Sequence, residues 1–222
     1  LSSLGAVSGI RGVSASVRRN EPAQHVIGEP EIIESWSTIL PSLSQVPEVP
    51  LRRHPPAFFQ GNRFLLAALV ERVLMELTPG PVVDLYAGVG VFALGAVACG
   101  ADDVTAVEDD PISGADLLAN AQSAGGRVRV VRRTVERYLR GKRRMSSGVW
   151  IIDPPRTGLS REARTLIANA GPRRLVYVSC DIATLARDLS VLGDAGYSIR
   201  RLDGFDFFPN TAHIELVTVL ER

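Results

Sequence analysis

The chain has 222 residues, 45% of them hydrophobic, and its 25 basic and 24 acidic side chains leave a formal net charge of +1. A chain of this size can bury the core of one substantial α/β domain with a small appendage, and near-neutrality excludes a global field that would drive it onto nucleic acid or membrane. Only two cysteines occur, Cys99 and Cys180, neither in a C-x-x-C pair, so ligand count excludes a cysteine-held zinc site or iron–sulfur cluster.

Arginine still outnumbers lysine heavily and clusters between positions 127 and 144, which leaves room for a local basic patch. No apolar run approaches the roughly 20 residues of a membrane span, and the first residues lack the order of a signal peptide. A reducing, cytoplasmic setting is expected. The chain opens on Leu1 rather than Met, which suggests a fragment or a trimmed start.

Residues 1–56 are rich in Ser, Pro, Val and Glu, with β-leaning pieces at 10–18 and 31–37 broken by Gly and Pro. They read as a small irregular β region ahead of a main domain at 57–222. Asn62 is placed to cap a helix whose apolar stripe runs through Leu65, Leu66, Leu69, Val70, Val73, Leu74 and Leu77 and stops at Pro79-Gly80. Strands follow at 81–86, 103–107, 127–131, 149–153 and 175–179, with helical patterns between them. This alternation predicts a mostly parallel sheet covered by helices on both faces. The last two strands, 197–205 and 213–220, are joined too closely for a parallel crossover and must pair antiparallel. Seven strands ending in an antiparallel pair is the layout of the class I (Rossmann-like) methyltransferase fold, although periodicity alone does not separate it from other doubly wound sheets.

Three segments carry candidate chemistry at the carboxyl ends of these strands. The run from Val82 to Phe92 is an apolar strand entering a glycine turn, in which Gly88 and Gly90 let backbone approach a ligand and the next helix offers unpaired N–H groups. Many tight strand-to-helix turns use the same glycines with no ligand. Glu108, about 20 residues further on, is placed to accept hydrogen bonds from both ribose hydroxyls of an adenine nucleoside, or simply to cap the next helix. Asp153-Pro154-Pro155-Arg156 ends the fourth strand in a rigid extended loop where open sheets bind ligands.

The fifth strand delivers Cys180 to the mouth of another strand-to-helix turn, where a nucleophile would sit; an ordinary buried thiol is the alternative. Glu215 follows some 35 residues later and can bring a carboxylate beside that thiol, or it can be a solvent-facing residue of an alternating strand. His213 is expected on the same strand face as Glu215, touching substrate or packed structurally. Arg156 and Arg187 are candidates for contacts to phosphate or to Asp188. Phe58, Phe59, Phe207 and Phe208 offer apolar surface nearby, and Cys99, in an Ala-rich helix, reads as core packing.

These residues resemble the RNA uracil-C5 methyltransferases, which make 5-methyluridine in bacterial tRNA and 23S rRNA. The matching elements are Phe58-Phe59-Gln60-Gly61-Asn62, Asp84 through Gly90, Val107-Glu108, Asp153 through Leu159, Tyr177 through Asp181 with Thr184 through Asp188, and Phe208-Pro209 through Glu215, in the family's order. The resemblance implies S-adenosyl-L-methionine as methyl donor, contacted at Gln60, Tyr86, Glu108 and Asp153 beside the Gly88 turn. It further implies Cys180 as nucleophile, Glu215 as base and an RNA substrate (tRNA or rRNA); no metal is expected from the ligand count, and the chain is expected to be a monomer.

The chemistry has its own logic. Uracil C5 is a poor nucleophile until a thiolate adds at C6, and a base must then remove the C5 proton. The chain departs from the family pattern at Ala87, where Cys is usual, at Ile182, where Pro is usual, and at Val91, often polar. Family members also carry a longer β region ahead of the Gln60 element and commonly an RNA-binding barrel, so a catalytic fragment or a reduced enzyme is expected. Three other readings stay open. They are a methyltransferase of this fold acting on a small molecule or protein, a non-catalytic RNA-binding module, and an adenine N6-methyltransferase, against which Arg156 after the double proline argues.

Overall fold

The computed structural model describes residues 7–15, 25–42, 50–141 and 147–222. Positions 16–18 of the first β-leaning piece and 142–146 of the arginine cluster lie outside the described residues. Two short antiparallel pairs open the chain: β1 (Gly12–Ala15) with β2 (His25–Gly28), and β3 (Ile32–Glu34) with β4 (Leu51–Arg53). The second β-leaning piece stops at Glu34 because the Ser35 hydroxyl accepts a hydrogen bond from Ser37 N and starts a one-turn helix, α1 (Trp36–Ile39).

The main domain follows in alternation: α2 (Leu66–Leu74), β5 (Val82–Leu85), α3 (Val91–Ala98), β6 (Val104–Glu108), α4 (Pro111–Ser123), β7 (Val128–Arg132), α5 (Val135–Leu139), β8 (Val149–Ile152), α6 (Arg161–Ala170), β9 (Arg174–Ser179), α7 (Ile182–Asp194), β10 (Ser198–Phe205) and β11 (Glu215–Glu221). Seven strands form one sheet in the order β10-β11-β9-β8-β5-β6-β7, parallel except for β11, which is antiparallel to both neighbours. Asn62 does cap, its Oδ1 accepting from Phe64 N and Leu65 N, but at a preliminary turn one step before α2 proper.

The central strands are continuous apolar runs because both of their faces are covered. Helices α2, α3 and α4 pack one face with Leu69, Val73, Phe92 and Leu117, and α5, α6 and α7 pack the other with Leu139, Ile167, Leu185 and Leu192. Asp110, Thr134, Ser160 and Asp181 cap α4 to α7 in turn, so each helix start lies at the carboxyl edge of the sheet. Strand β11 is buried throughout rather than alternating, because it lies inside the sheet between β9 and β10.

Two polar ties fix the loops at this edge. Asn120 of α4 accepts from Arg52 N (2.9 Å) and donates to Arg52 O (2.8 Å) and Val89 O (3.0 Å), while Asp116 accepts from His54 N at 2.7 Å, so β4 is docked onto the domain. Asp188, fully buried on α7, accepts from Leu159 N, Tyr177 Oη, Arg164 Nη1 and Arg187 Nε at 2.7–2.9 Å. The loop after β8 passes so close that a Cβ at Gly158, whose φ is +71°, would lie 2.7 Å from the Asp188 carboxylate. Burial alone would raise the Asp188 pKa, but these donors outweigh it and hold the carboxyl below its ordinary value. Asp188→Ala strands Arg164 and frees the loop; unfolding in urea is expected to show a loss of about 3 kcal/mol, and a loss below about 1 kcal/mol would mean the loop is held by other contacts.

Candidate active site

The β9–β11 register builds the site. Leu216 lies opposite Ser179, so the next residue of each strand places Glu215 across from Cys180 at the carboxyl edge. Strand β8 pairs Ile152 with Tyr177 of β9, which brings Asp153 to the same edge. Cys180 is half-buried just before the α7 cap, where Asp181 Oδ1 accepts from Thr184 N at 2.9 Å. Burial pushes the Cys180 thiol up, and the negative charges of Glu215 and Asp153 push it further; the Arg156 guanidinium opposes them. Thr184 Oγ1 donates to Arg156 O at 3.2 Å, and Arg156 Nη2 reaches the His213 ring, 3.0 Å from Nδ1.

Glu215 is buried, with Oε2 lacking a hydrogen-bond partner, and its burial raises the carboxyl pKa to about 7. Asp153 is held well above the ordinary carboxylate range by burial, then by Glu215 and Asp84. Asp84, in the middle of apolar β5, is fully buried. Its Oδ2 accepts from Ala93 N at 2.9 Å, its Oδ1 has no partner, and burial first, then Glu108, raises its pKa to about 8. Glu215, Asp153 and the Cys180 thiol thus lie close enough to act on one another by charge, with Asp84 acting on Asp153 and Arg156 the cation that acts on the thiol.

At the neighbouring turn, Glu108 is bonded to Gly88, another of the predicted cofactor residues. Its Oε2 accepts from Gly88 N at 2.7 Å, and its Oε1 accepts from Asp109 N and Asp110 N at 2.9 and 2.8 Å. Gly90 begins α3 at φ +99°, with Leu117 Cδ1 2.7 Å from where a Cβ would stand. Tyr86, just after β5, takes φ +63°, a conformation that costs a bulky side chain energy and marks constrained backbone. It lines a cavity of about 390 Å³ with Glu136, Pro155, Gly158 and Arg187.

Gln60 is half-buried in the segment held by Asn62, whose Nδ2 donates to Phe207 O at 3.2 Å. Phe207 in turn packs on Phe208 at 6.3 Å between ring centroids, and Phe208 packs edge-on against His213 at the same distance. Of the four aromatics, Phe207 is core, Phe58 is 63% exposed, and Phe59 lies under Arg53, whose Cζ is 4.6 Å from the ring centroid.

Two expectations, for His213 and Cys99, are corrected, and one alternative, for Glu215, is removed. His213 does not share a strand face with Glu215, because the strand begins at Glu215 and His213 lies in the preceding turn against Arg156. Glu215 is not solvent-facing, for the same reason that β11 is buried on both faces. Cys99 is exposed: α3 ends at Ala98, and the chain leaves the core there for the Gly100 turn. Arg187 does contact Asp188. Asp84 escaped the sequence reading, although a lone acid inside Val82-Val83-Asp84-Leu85 was the signal for it.

The architecture is that of a class I methyltransferase. Residues 49–222 match the model of the tRNA (uracil-5-)-methyltransferase family, and the chain belongs to that family. It is 36% identical over 213 residues to an uncharacterized RNA methyltransferase of Thermotoga maritima, covering 93% of this chain and 45% of that one. It is 36% identical over 203 residues to a 23S rRNA (uracil(1939)-C(5))-methyltransferase of Thiobacillus denitrificans, covering 84% and 45%. The chain therefore spans about half the length of the curated relatives it matches. Among solved structures, the Pyrococcus abyssi tRNA (uracil-54, C5)-methyltransferase in complex with S-adenosyl-L-homocysteine superposes with a TM-score of 0.72 at 26% identity, over 89% of this chain and 46% of that one.

The raised carboxyls set a pH dependence of stability. Unfolded carboxyls titrate near pH 4, whereas Asp84 and Glu215 hold protons to about 8 and 7 in the folded chain. Between these limits the native state binds more protons than the unfolded one, so stability falls as pH rises. Without added ligand, Tm is expected to fall from pH 5 to 8. Asp84→Asn, which keeps the acceptor for Ala93 N, is expected to flatten that slope; an unchanged slope would mean that Asp84 is ionised in the folded protein.

Proposed function

We propose that this protein methylates C5 of a uridine in RNA, tRNA or 23S rRNA, using S-adenosyl-L-methionine, with Cys180 as nucleophile and Glu215 as base. The observation that carries this reading is the register that sets Glu215 opposite Cys180 at the ligand edge of the sheet, beside Asp153. Few structural roles account for a thiol and a buried carboxylate with an unpartnered oxygen facing each other in this way.

The donor set suits a cationic cofactor. Asp84 Oδ1 and Glu215 Oε2 are buried without partners, and Asp84, Glu108 and Asp153 all have raised pKa values, so a positive group at this edge relieves repulsion and desolvation together. Gln60, Tyr86, the Gly88 turn, Glu108 and Asp153 are the residues assigned to hold it. When bound, the cofactor supplies an electrophilic methyl group for C5.

In the first step Cys180 thiolate adds to uracil C6, and the ring electrons shift to C5. Arg156, the cation beside the thiol, favours the thiolate against the surrounding carboxylates. After C5 takes up the methyl group, Glu215 removes the C5 proton, and the ring electrons expel Cys180 to restore the C5–C6 double bond. A base with a pKa of about 7 is matched to this task near neutral pH.

RNA carrying 5-fluorouridine tests the assignment, because fluorine at C5 cannot leave as a proton. A covalent protein–RNA adduct is expected with the parent chain and not with Cys180→Ala, whose turnover on natural RNA falls by roughly three orders of magnitude or more. Cofactor binding with no adduct on any RNA would rule out the RNA reading in favour of a small-molecule or protein substrate. Glu215→Gln is expected to trap the adduct on natural uridine; rapid turnover by that variant would remove Glu215 from the base role. The kcat of the parent chain is expected to rise with pH through about 7 as Glu215 ionises, and to go on rising above it because the raised Cys180 thiol must also ionise.

A further inference from the structure

Phe64 is 93% exposed, the most exposed of the large hydrophobic side chains among the described residues. Leaving a phenyl ring in water forgoes roughly 1.5–3 kcal/mol of burial. The position is not loose. Asn62 Oδ1 accepts from Phe64 N at 3.1 Å and from Leu65 N at 3.2 Å, and Leu66 N donates to Asn62 O at 3.0 Å, which locks the turn before α2 with the ring pointing outward. The same Asn62 donates to Phe207 O, and the aromatic contacts from Phe207 to Phe208 to His213 connect this turn to the loop that precedes Glu215. Exposed Arg63 stands beside Phe64, and Phe58, also exposed, lies on the other side of Gln60.

A solvent-facing aromatic ring on a backbone turn fixed by Asn62, following an arginine in sequence and tied through Asn62 to the segment ahead of Glu215, matches the way single-stranded nucleic acid is held. Bases stack on aromatic rings while arginine follows the phosphates. A thiol cannot reach C6 of a uridine until that uridine leaves its stack, and its former neighbours then lose a stacking partner. We infer that Phe64, with Arg63 beside it, forms a stacking post for a nucleotide flanking the target uridine. This inference rests on the RNA reading above. It does not require Phe64 to touch the reacting ring.

The test is steady-state methylation of in vitro transcribed tRNA and 23S rRNA by the full-length protein and its Phe64→Ala, Phe64→Leu and Phe64→Trp variants. The affinity of each for S-adenosyl-L-methionine is measured in parallel. Loss of one stacked base is expected to raise KM for RNA roughly five- to a hundredfold in the Ala variant, with the effect falling on KM rather than kcat. Phe64→Leu, apolar but without a π face, should behave like Ala, and Phe64→Trp like the parent. An unchanged KM in Phe64→Ala overturns the inference while leaving the RNA reading standing. Full recovery by Phe64→Leu overturns it in favour of apolar contact with another stretch of polypeptide. Failure of the parent protein to methylate any RNA brings down both.

Discussion

Everything at the reactive edge depends on one antiparallel strand inserted into a parallel sheet. In a wholly parallel sheet every strand reaches the ligand edge with its carboxyl end, and the first residues of all strands lie at the far side. Because β11 runs the other way between β9 and β10, its first residue, Glu215, arrives where β9 ends and Cys180 begins the next turn. A register slip of one residue would move Glu215 to the other face of the sheet. The six pairings from Leu216 with Ser179 to Glu221 with Arg174 guard against that slip, and the β10 pairing on the other side guards against it again.

The second constraint is charge. Asp84 and Glu215 are buried and Asp153 is half-buried, where water stabilises their ionised forms poorly, and each keeps a raised pKa as a result. Asp188 is equally buried but has four donors, and its pKa is lowered. The contrast separates two jobs for the same side-chain chemistry. Asp188 spends its hydrogen-bonding capacity on the fold, tying the Asp153–Leu159 loop to α7, whereas the under-satisfied carboxyls are left able to meet a ligand or a proton.

Much of this was legible in the residues. The seven strands, the antiparallel final pair and the Cys180–Glu215 pairing follow from apolar runs, a short last connection and ordered motifs. What was not legible depends on neighbours that periodicity does not reveal. Glu215 reads as half of an alternating strand until β10 and β11 are seen to occupy adjacent places, and Cys99 reads as core until the helix is seen to end one residue before it. His213 was assigned to a strand that begins two residues later, an ordinary boundary error with a functional consequence, since its partner turns out to be Arg156. The Ser35 cap interrupts a β-leaning run for a local reason, a hydroxyl competing for backbone N–H groups.

Asn120 ties together parts of the chain that are far apart in sequence. One amide side chain pairs with the backbone of Arg52 as a neighbouring strand would, and also donates to the carbonyl of Val89 inside the glycine turn. The β3–β4 pair and the glycine turn are therefore held by the same side chain of α4. Pulling β4 away leaves Asn120 Oδ1 and one amide N–H without the Arg52 backbone, while the bond from Asn120 to Val89 O stays in place. Losing the Asn120 carboxamide would therefore remove two ties at once, freeing β4 and leaving the Val89 carbonyl beside Gly88 without its donor.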